Sequence, residues 1–461
     1  MIDNSAWKPC DLRGVFPDAV NEDLFRKVGQ VAGAEMARDA LVVVGGDFRL
    51  STPALKAALI EGLGTHTLRI VDVGQAPTPV VYFAAATLNA AGIFIVTASH
   101  NPPAHNGLKW MVGGRPPSPE DMARIRRAVE STKPESHRGE RRGIERFDPV
   151  PSYIEWITGR WRHLRPRLSG PLILDAGNGA WSHIAPYVFR ELGFDAIALH
   201  GDPDGSFPNR PPDCARTENL AALRAVVKEQ AGALGIAWDG DGDRVAFVDE
   251  SGVHASTDEI SILLVRDVLG RSALPEKVIC DIKLSDSVRR EVIQFGGAPM
   301  LERSGHAFMR TALLGHDAAL GLDACGHYFL RDAGSRDDGL HSALFMLGIL
   351  KGERTLGELR RSIAPIFSTP ELRLPAALLG FPAVQERLRG TFRGAQESHI
   401  DGLRLLLEDG VVLARESSTE PVVSLRIEGF SSEGYARLVS DSLKSLKEAD
   451  ALLRRQIAAA D

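Results

Sequence analysis

The sequence predicts an α/β protein built mainly on parallel sheets. Three apolar segments of strand length, 41–44, 172–174 and 278–280, each run directly into a turn of small or acidic residues. Helical patterns alternate with these segments. Alternation of this kind is typical of βαβ units, in which a helix returns the chain to the next parallel strand.

Size and composition limit the classes of protein that fit. The chain has 461 residues, which at about 150 residues per domain indicates three or four domains. It is 44% hydrophobic and 25% charged, values that are typical of a soluble globular protein. With a net charge of −6, the chain does not have the excess of basic residues that is typical of proteins that bind nucleic acid or an anionic membrane. We therefore expect neither partner.

Cysteine usage and the N-terminus predict a cytoplasmic protein. The four cysteines are Cys10, Cys214, Cys280 and Cys325. They are widely scattered and form no C-x-x-C pair, which favours a reducing compartment over a disulfide framework or a zinc site. Residues 1–5 lack the basic and apolar regions of a signal peptide. The apolar stretch 80–96 contains polar residues and predicts a helix followed by a strand, not a membrane span.

Local patterns also predict helices and domain limits. Ser118 and Pro119 are typical of a helix start, and Met122, Ile125 and Val129 then mark one apolar face. Near the C-terminus, apolar positions recur at helical spacing at Tyr435, Leu438, Val439, Leu443 and Leu446, which predicts a helix packed on the core. Boundary signals at 131–146, 251–252 and 368–370 divide the chain into domains 1–147, 148–252, 253–368 and 369–461.

The most informative loop follows the apolar segment 92–96, which predicts a buried strand. It reads TASHNPPAHNGLK (97–109) and contains a hydroxyl nucleophile, an imidazole and an ammonium group at Ser99, His100 and Lys109. Loops held by a rigid scaffold commonly carry catalytic groups. A polar surface loop is the alternative. A serine hydrolase fits poorly, because G-x-S-x-G is absent and a triad takes its histidine from a distant position.

A second loop, DGDGDR (239–244), lies between two apolar segments. Carboxylates at alternate positions, joined by glycines, can converge on one hard cation. Their mutual repulsion otherwise opposes this gathering. An EF-hand needs glycine where Arg244 stands and helices where these flanks predict strands; a solvated acidic turn is the other alternative. Mg²⁺ fits better than Ca²⁺, since it binds few carboxylates and completes its shell with water or phosphate. A phosphate on Ser99 could supply that ligand.

Several further segments could bind an anion. They are DLRG (11–14), GGDFRLS (45–51), Lys283, RSGH (303–306) and RESSTEP (415–421). The last combines an arginine with successive hydroxyls and loop amides, which together suit a phosphate group. Taken singly, each segment has a simpler alternative as a salt-bridging loop or, for 415–421, as a turn with a helix cap.

Together these segments resemble the α-D-phosphohexomutase superfamily, the phosphoglucomutase and phosphomannomutase enzymes. The similarity runs in order through DLRG (11–14), GGDFRLSTP (45–53), TASHNPPAHNGLK (97–109), DAGNGA (175–180), DGSFPNRPPD (204–213), DGDGDR (239–244), RSGHAF (303–308), GLDACGH (321–327) and RESSTEP (415–421). TASHNP and DGDGDR are highly specific as a pair. The resemblance implies four domains around a deep cleft: three related mixed α/β domains and a C-terminal α+β domain that binds phosphate.

The resemblance also implies roles for individual residues. Ser99 would be the phosphoserine, and Asp239, Asp241 and Asp243 would hold Mg²⁺ together with a phosphate oxygen on Ser99. Arg13, His100, Lys109 and Arg244 would surround the transferring phosphoryl group, with His100 or Lys109 as proton carrier. The substrate-binding residues would be Lys283, His306, Asp323, Cys325, His327, Arg415, Ser417, Ser418 and Thr419.

The implied reaction is a Mg²⁺-dependent interconversion of hexose 1-phosphate and 6-phosphate, with glucose, mannose or both as the sugar. It would proceed through phospho-Ser99 and a bisphosphate intermediate that turns around, with hexose 1,6-bisphosphate as activator. The expected partner is a small phosphosugar, and the expected assembly is a monomer or a dimer.

The chain departs from the family pattern at the sugar-recognition loop. That loop usually reads Gly-Glu-x-Ser-Gly-His, whereas this chain has Asp323 and Cys325 at the glutamate and serine positions. Aspartate is one methylene shorter, and a thiol bonds more weakly than a hydroxyl. Cys10, Arg210 and Ser418 also replace residues that are usual in the family. A phosphoglucosamine or other sugar mutase, or a phosphosugar-binding protein with weak turnover, is therefore the alternative function.

Overall fold

The computed structural model describes residues 4–132, 143–164, 168–350, 354–417 and 421–459. The chain forms two compact units. The first comprises Met1–Ser256 and Cys325–Arg360, and the second comprises Thr257–Ala324 and Arg361–Asp461. Among the described residues, the helices are too short or too polar to cross a membrane.

The first unit begins with a six-stranded mixed sheet. In chain order its elements are β1 (Leu12–Val15), α1 (Glu22–Ala34), β2 (Leu41–Gly46), α2 (Thr52–Leu63), β3 (Arg69–Gln75), α3 (Thr78–Thr87), β4 (Gly92–Val96), β5 (His105–Val112), α4 (Pro119–Ser131) and β6 (Glu145–Arg146). The strand order is β1-β5-β4-β2-β3-β6. Strand β2 pairs in parallel with β3 and β4, whereas β5 pairs antiparallel with β4 and β1. The predicted strands at 41–44 and 92–96, and the helix before the latter, are confirmed.

Helix α4 forms where the local sequence predicts it. The Ser118 side chain accepts a hydrogen bond from the backbone N–H of Asp121, and the Asp121 side chain accepts one from the backbone N–H of Ser118. This capping box satisfies two donors that have no partner inside the helix. Met122, Ile125 and Val129 are buried, because residues three and four apart share one face of a helix.

The second sheet of the first unit carries the acidic loop. Its elements are α5 (Val150–Trp161), β7 (Leu172–Asp175), α6 (Ile184–Glu191), β8 (Ala196–Leu199), α7 (Ala221–Glu229), β9 (Leu234–Trp238), β10 (Val245–Val248) and β11 (His254–Ala255), with the strand order β11-β10-β9-β7-β8. Strands β9 and β10 form an antiparallel hairpin in which Trp238 lies opposite Val245. Residues 239–244 are the loop of this hairpin. An EF-hand, which needs a helix on each side of its loop, is therefore excluded.

The chain then enters the second unit and returns briefly to the first. The second unit receives α8 (Thr257–Arg271), β12 (Lys277–Asp281), α9 (Asp286–Gln294), β13 (Ala298–Glu302), α10 (His306–His316) and β14 (Leu320–Leu322). Strand β12 pairs in parallel with both β13 and β14. The next elements are β15 (Tyr328–Leu330), β16 (Arg336–Asp337), α11 (Gly339–Ile349) and α12 (Leu356–Arg361). In the first unit, β15 and β16 pair antiparallel.

The C-terminal part of the second unit is an antiparallel sheet with helices. Its elements are β17 (Phe367–Ser368), β18 (Leu372–Pro375), α13 (Phe381–Thr391), β19 (Gln396–Ser398), β20 (Leu403–Leu407), β21 (Gly410–Glu416), β22 (Val422–Gly429), α14 (Ser432–Ser445) and α15 (Asp450–Ala458). Strand β22 pairs antiparallel with β17, β18 and β21. Leu438, Leu443 and Leu446 are buried in one core with the sheet, which confirms the predicted C-terminal helix and the α+β character of this part.

The domain limits at 147, 252 and 368 stay predictions. The polar segment 131–146, on which the first limit depends, falls largely at 133–142, outside the described residues.

Candidate active site

Ser99 lies in the loop between β4 and β5, just after β4 ends. Only 1% of the residue is exposed, and its φ of +52° lies in the left-handed region that residues other than glycine rarely adopt. Such a conformation costs about 1–2 kcal/mol. The backbone N–H of Ser99 donates to Thr97 Oγ1 at 2.9 Å. Contacts such as this one must hold the loop in its strained shape.

Most of those contacts come from Arg49, whose side chain is fully buried. Its hydrogen bonds run from Nε to Asp47 Oδ2 at 3.1 Å, from Nη1 to the carbonyl oxygens of Pro102 and His105 at 2.7 and 3.0 Å, and from Nη2 to those of Ser99 and Asn101 at 2.7 and 2.6 Å. A guanidinium has five N–H donors, and all five are used here. The sequence suggests Arg49 as an anion-binding residue; in the structure it holds the Ser99 loop instead.

Asp47 in turn orients Arg49 from the end of β2. Its Oδ1 accepts hydrogen bonds from the Arg49 backbone N–H at 3.0 Å and from Thr52 Oγ1 at 2.7 Å. Its Oδ2 accepts one from Thr97 Oγ1 at 2.7 Å. One buried carboxylate thus joins the end of β2, the start of α2 and the start of the Ser99 loop.

Glycines allow the acidic loop to approach Ser99 closely. A Cβ atom on Gly240 would lie 2.7 Å from the carbonyl oxygen of Ser99, closer than van der Waals contact allows. Gly242 has a φ of +83°, and its Cβ would lie 2.3 Å from Trp181 Nε1. The Trp181 indole donates to the Gly242 carbonyl at 2.7 Å. A larger residue at Gly240 would push this loop away from the serine, and one at Gly242 would collide with Trp181.

The serine and the acidic loop meet through a direct hydrogen bond. Ser99 Oγ donates to Asp239 Oδ2 at 2.8 Å. Asp239, Asp241 and Asp243 are all buried and each offers one carboxylate oxygen, and these three oxygens lie within 4.8 Å of one another. A set of hard oxygen donors at this spacing suits a cation such as Mg²⁺.

The bonding of Asp241 supports a cation at this place. Its Oδ2 accepts hydrogen bonds from Thr78 Oγ1 and from Lys109 Nζ, each at 2.8 Å, and the Thr78 N–H donates to its carbonyl oxygen at 2.9 Å. Its Oδ1 is buried and has no hydrogen-bond partner within the described residues. Buried carboxylate oxygens are normally satisfied, so the residues present fit a metal ion that would bind Oδ1.

The electrostatics of the aspartate cluster also favour a bound cation. Burial, together with repulsion from Asp241 and Asp243, raises the pKa of Asp239 well above its usual range. Burial alone would also raise the pKa of Asp243, but Lys109 and His327 hold it well below its usual range. Protein cations therefore neutralise only part of the cluster, and a bound divalent cation would neutralise the rest.

Lys109 is one of those protein cations. Its Nζ donates to Asp241 Oδ2 at 2.8 Å and to Asp243 Oδ2 at 2.5 Å, and only 3% of its side chain is exposed. Burial lowers the pKa of Lys109, but the two carboxylates outweigh it and raise the pKa well above its usual value. The side chain therefore keeps its proton at neutral pH, which favours charge balance over proton transfer as its role.

His100 is the better placed of the two candidate proton carriers. Its Nδ1 lies 3.2 Å from Ser99 Oγ. Burial, followed by the positive charges of Arg244 and Arg13, holds the pKa of His100 well below its usual range. The ring is therefore neutral at pH 7 and can accept a proton from a hydroxyl.

The two predicted arginines of the first unit lie at the two loops of the site: Arg13 contacts the Ser99 loop, and Arg244 is part of the acidic loop. Arg13 donates to Asn101 Oδ1 at 3.2 Å and to Asp11 Oδ2 at 2.8 Å. Arg244 is the last residue of the acidic loop, and its Nε lies 3.2 Å from His327 Nε2. His327 Nε2 in turn lies 3.1 Å from Asp243 Oδ1. The family resemblance assigns His327 to sugar recognition, and in the structure its Nε2 contacts two residues of the acidic loop.

In the second unit, the buried carboxylate of Asp281 joins three segments that contain or adjoin predicted substrate residues. Asp281 Oδ1 accepts hydrogen bonds from the Lys283 N–H at 2.9 Å and from Ser304 Oγ at 2.6 Å, and Oδ2 accepts one from the Ala324 N–H at 3.3 Å. Lys283, the loop before His306 and the loop after Asp323 are thereby tied together. Burial, partly offset by Lys283 and reinforced by Asp323, raises the pKa of Asp281.

Arg415 is the penultimate residue of β21 and pairs with an acidic residue that the sequence does not single out. Its Nε and Nη2 both donate to Asp401 Oδ2, at 2.9 and 2.5 Å. The Ser417 N–H donates to the Val422 carbonyl at 2.9 Å. Ser418 and Thr419 lie outside the described residues.

Comparison with known proteins identifies the family. The four models for domains I, II, III and the C-terminal domain of phosphoglucomutase/phosphomannomutase match residues 7–136, 151–252, 256–367 and 376–444. The chain belongs to this family. A phosphomannomutase/phosphoglucomutase of Pseudomonas aeruginosa is 34% identical over an alignment of 458 residues that covers 97% of this chain and 97% of its own. A probable phosphoglucosamine mutase of Pyrococcus abyssi is 30% identical over 95% of this chain and 97% of its own.

A solved structure agrees with this identification. The crystal structure of a phosphoglucomutase/phosphomannomutase family protein from Burkholderia thailandensis has a TM-score of 0.86 and 34% sequence identity. The alignment covers 97% of this chain and 98% of that one. This member of the phosphoglucomutase/phosphomannomutase family is accordingly an isomerase of the intramolecular phosphotransferase type, with the four-domain α/β architecture that the sequence predicts.

Several residues that build the site of this family member carry no signal of their own in the sequence. Thr78 lies between two prolines and is the first residue of α3, yet its side chain donates a hydrogen bond to Asp241. Arg210, noted only as a departure from the family pattern, donates from Nε to Asp175 Oδ2 at 2.8 Å and from Nη2 to the Trp238 carbonyl at 2.8 Å. It thereby braces the end of β9, where the acidic loop begins. Only their partners, which lie far away in the sequence, reveal these functions.

Proposed function

We propose that this protein is a phosphohexomutase that interconverts the 1-phosphate and 6-phosphate of glucose, mannose or both. Ser99 would carry the phosphoryl group. The observation that carries the proposal is the 2.8 Å hydrogen bond between Ser99 Oγ and Asp239, which joins a strained, buried serine to a cluster of three buried aspartates. A serine held in this way can present a phosphate to a cation bound by the carboxylates.

Asp239, Asp241 and Asp243 would hold Mg²⁺, together with an oxygen of the phosphate on Ser99. When bound, the ion would neutralise charge on the phosphoryl group during transfer. Arg13 and Arg244 would add positive charge from the protein. Lys109, fixed between two carboxylates, would set the charge of the cluster.

In the first half-reaction, the bond between Ser99 Oγ and phosphorus breaks while a free hydroxyl of the hexose monophosphate forms a new bond to phosphorus. The hydroxyl proton passes to Ser99 Oγ, and neutral His100, 3.2 Å from that oxygen, would relay it. The product of this step is a hexose bisphosphate and unphosphorylated Ser99.

In the second half-reaction, the bisphosphate turns around and its other phosphate is transferred to Ser99, so the same steps run in reverse. Arg415 and Ser417 would bind the phosphate that is not reacting, with Ser418 and Thr419 assigned to the same role by the family pattern. Lys283, His306, Asp323, Cys325 and His327 would contact the sugar. A hexose 1,6-bisphosphate would serve as activator by phosphorylating Ser99.

The proposal is tested by a mutase assay on the full chain with Mg²⁺ and hexose 1,6-bisphosphate. Substrates are the 1-phosphates of glucose, mannose, glucosamine and N-acetylglucosamine. We expect turnover of glucose or mannose phosphate and its loss on chelation of the metal. Ser99→Ala should abolish turnover and the phosphoryl mass on the protein, whereas Ser169→Ala, a change in an exposed loop, should leave both intact. Near-normal rates in Ser99→Ala would refute the phosphoserine mechanism.

The same panel decides between sugars. Asp323 and Cys325 replace the glutamate and serine that usually contact the sugar hydroxyls. A preference for glucosamine 1-phosphate would establish the alternative mutase, and tight binding without interconversion would establish a binding protein. A cytoplasmic location and a monomeric or dimeric state stay predictions.

A further inference from the structure

Asp401 is an acidic residue in a place where the proposed function needs positive charge. It lies between β19 and β20, and its Oδ2 accepts hydrogen bonds from Nε and Nη2 of Arg415 at 2.9 and 2.5 Å. This Nε–Nη2 edge of a guanidinium is one that forks onto the oxygens of a phosphate. Arg415, the residue proposed to bind phosphate, is thus already hydrogen-bonded to a carboxylate.

A second loop donates to the same oxygen. The Ser304 N–H points to Asp401 Oδ2 at 3.4 Å, and Ser304 Oγ is held by Asp281 at 2.6 Å. Two guanidinium N–H groups and one backbone N–H therefore converge on one carboxylate oxygen. Convergence of such donors is how proteins hold a phosphate oxygen, so Asp401 occupies an anion-binding position.

The contact is of a kind that a stronger anion can displace. The Asp401 side chain is 24% exposed and that of Arg415 is 15% exposed. An ion pair that water reaches is weakened by solvent screening, so it contributes little to stability. A phosphate dianion carries more charge and more acceptor oxygens than a carboxylate, so it binds the same guanidinium more strongly.

We propose that Asp401 is an exchangeable counterion for Arg415, which holds the guanidinium in the free protein, yields it to the phosphate of the sugar, and takes it back when that phosphate leaves. The inference rests on the proposed function, because the turn of the bisphosphate requires Arg415 to release one phosphate in each cycle. The returning carboxylate restores the hydrogen bonds that Arg415 loses, which lowers the cost of release. No covalent bond changes in this exchange.

Binding and kinetics of Asp401→Asn test the proposal. Asparagine keeps the size of the side chain and removes its charge. By calorimetry with inorganic phosphate and with glucose 1-phosphate, we expect binding to the full chain to tighten about three- to fivefold, the size of effect that a partly exposed ion pair has. In steady-state assays KM should fall by a similar factor and kcat should fall as well, because phosphate release slows.

The chain offers a matched control in Asp409, which accepts from Nε and Nη2 of Arg437 at 2.7 and 2.5 Å on an exposed face. Asp409→Asn should change neither binding nor kinetics. Asp401→Glu, which keeps the charge, should bind phosphate nearly as the wild type does. In an Arg415→Gln background, Asp401→Asn should no longer tighten binding.

Unchanged or weaker phosphate binding in Asp401→Asn, with a melting temperature near that of the wild type, would overturn the proposal and leave Asp401 a structural brace of Arg415. If Asp401→Asn does not fold, phosphate binding is compared between Asp401→Ala, which removes the charge, and Asp401→Glu, which keeps it. Failure of the proposed function has a different signature: a wild-type chain without mutase activity in which Asp401→Asn still tightens phosphate binding.

Discussion

Replacing Arg49 with lysine should disable catalysis although Arg49 itself need not touch the substrate. The guanidinium makes five hydrogen bonds, four of them to carbonyl oxygens of the Ser99 loop. An ammonium has three donors, so at least two of the five bonds are lost. At about 1.5 kcal/mol or more for each bond to a charged group, the loss is roughly 3 kcal/mol.

That amount exceeds the 1–2 kcal/mol that the left-handed conformation of Ser99 costs, so the loop should relax away from its strained shape. Displacement of a reacting group by about 1 Å can lower the rate about 100-fold. We expect kcat/KM to fall by about that factor in Arg49→Lys, with a moderate loss of thermal stability because the charge that pairs with Asp47 is kept.

Mutase kinetics and hydrogen exchange of the peptide that contains residues 97–107 measure the two effects separately. Exchange in that peptide should accelerate in Arg49→Lys, whereas peptides from the second unit should be unchanged. The matched control is Arg437→Lys, an exposed arginine that pairs with Asp409; it should alter neither measurement. Wild-type kcat/KM together with wild-type protection of the loop would show that the hydrogen bonds of Arg49 do not hold Ser99.

Two further predictions concern the acidic loop and the buried carboxylate at the start of α11. Gly240→Ala should lower kcat and weaken Mg²⁺ binding, since the new Cβ would lie 2.7 Å from the Ser99 carbonyl oxygen. Gly390→Ala is the control, because nothing lies within 4 Å of the Cβ that it adds. Equal kinetics for the two variants would contradict the close approach of Gly240 to Ser99. Asp338 caps α11 and accepts a hydrogen bond from Tyr153 at 2.8 Å, and burial raises its pKa to about 6. The folded state thus holds this proton more tightly than the unfolded state, so its stabilising contribution is full below pH 4 and is lost as the pH rises through 6. Relative to Asp338→Asn, the wild type should lose about 3 kcal/mol across that window; melting temperatures of both proteins from pH 4 to 7 measure this, and a constant difference would refute the raised pKa.

Much of the fold and part of the site follow from the sequence alone, because those features depend on neighbours along the chain. The cap at Ser118 and the spacing of Met122, Ile125 and Val129 decide helix α4 locally. The apolar run before Ser99 decides that a strand presents the serine loop. Alternating aspartates and glycines in 239–244 place three carboxylates in one short loop, from which they can converge on one cation.

The tertiary structure alone decides which partner each polar group takes. Arg49 could bind an anion as far as its residue type is concerned, but the fold brings it to carbonyl oxygens 50 to 56 residues away, and they consume its donors. Thr78 reaches Asp241 across 163 residues. Asp401 finds Arg415 only because its loop lies beside the end of β21. The residue type determines which hydrogen bonds a side chain can donate or accept. Its actual partner depends on the tertiary packing that buries the two groups side by side.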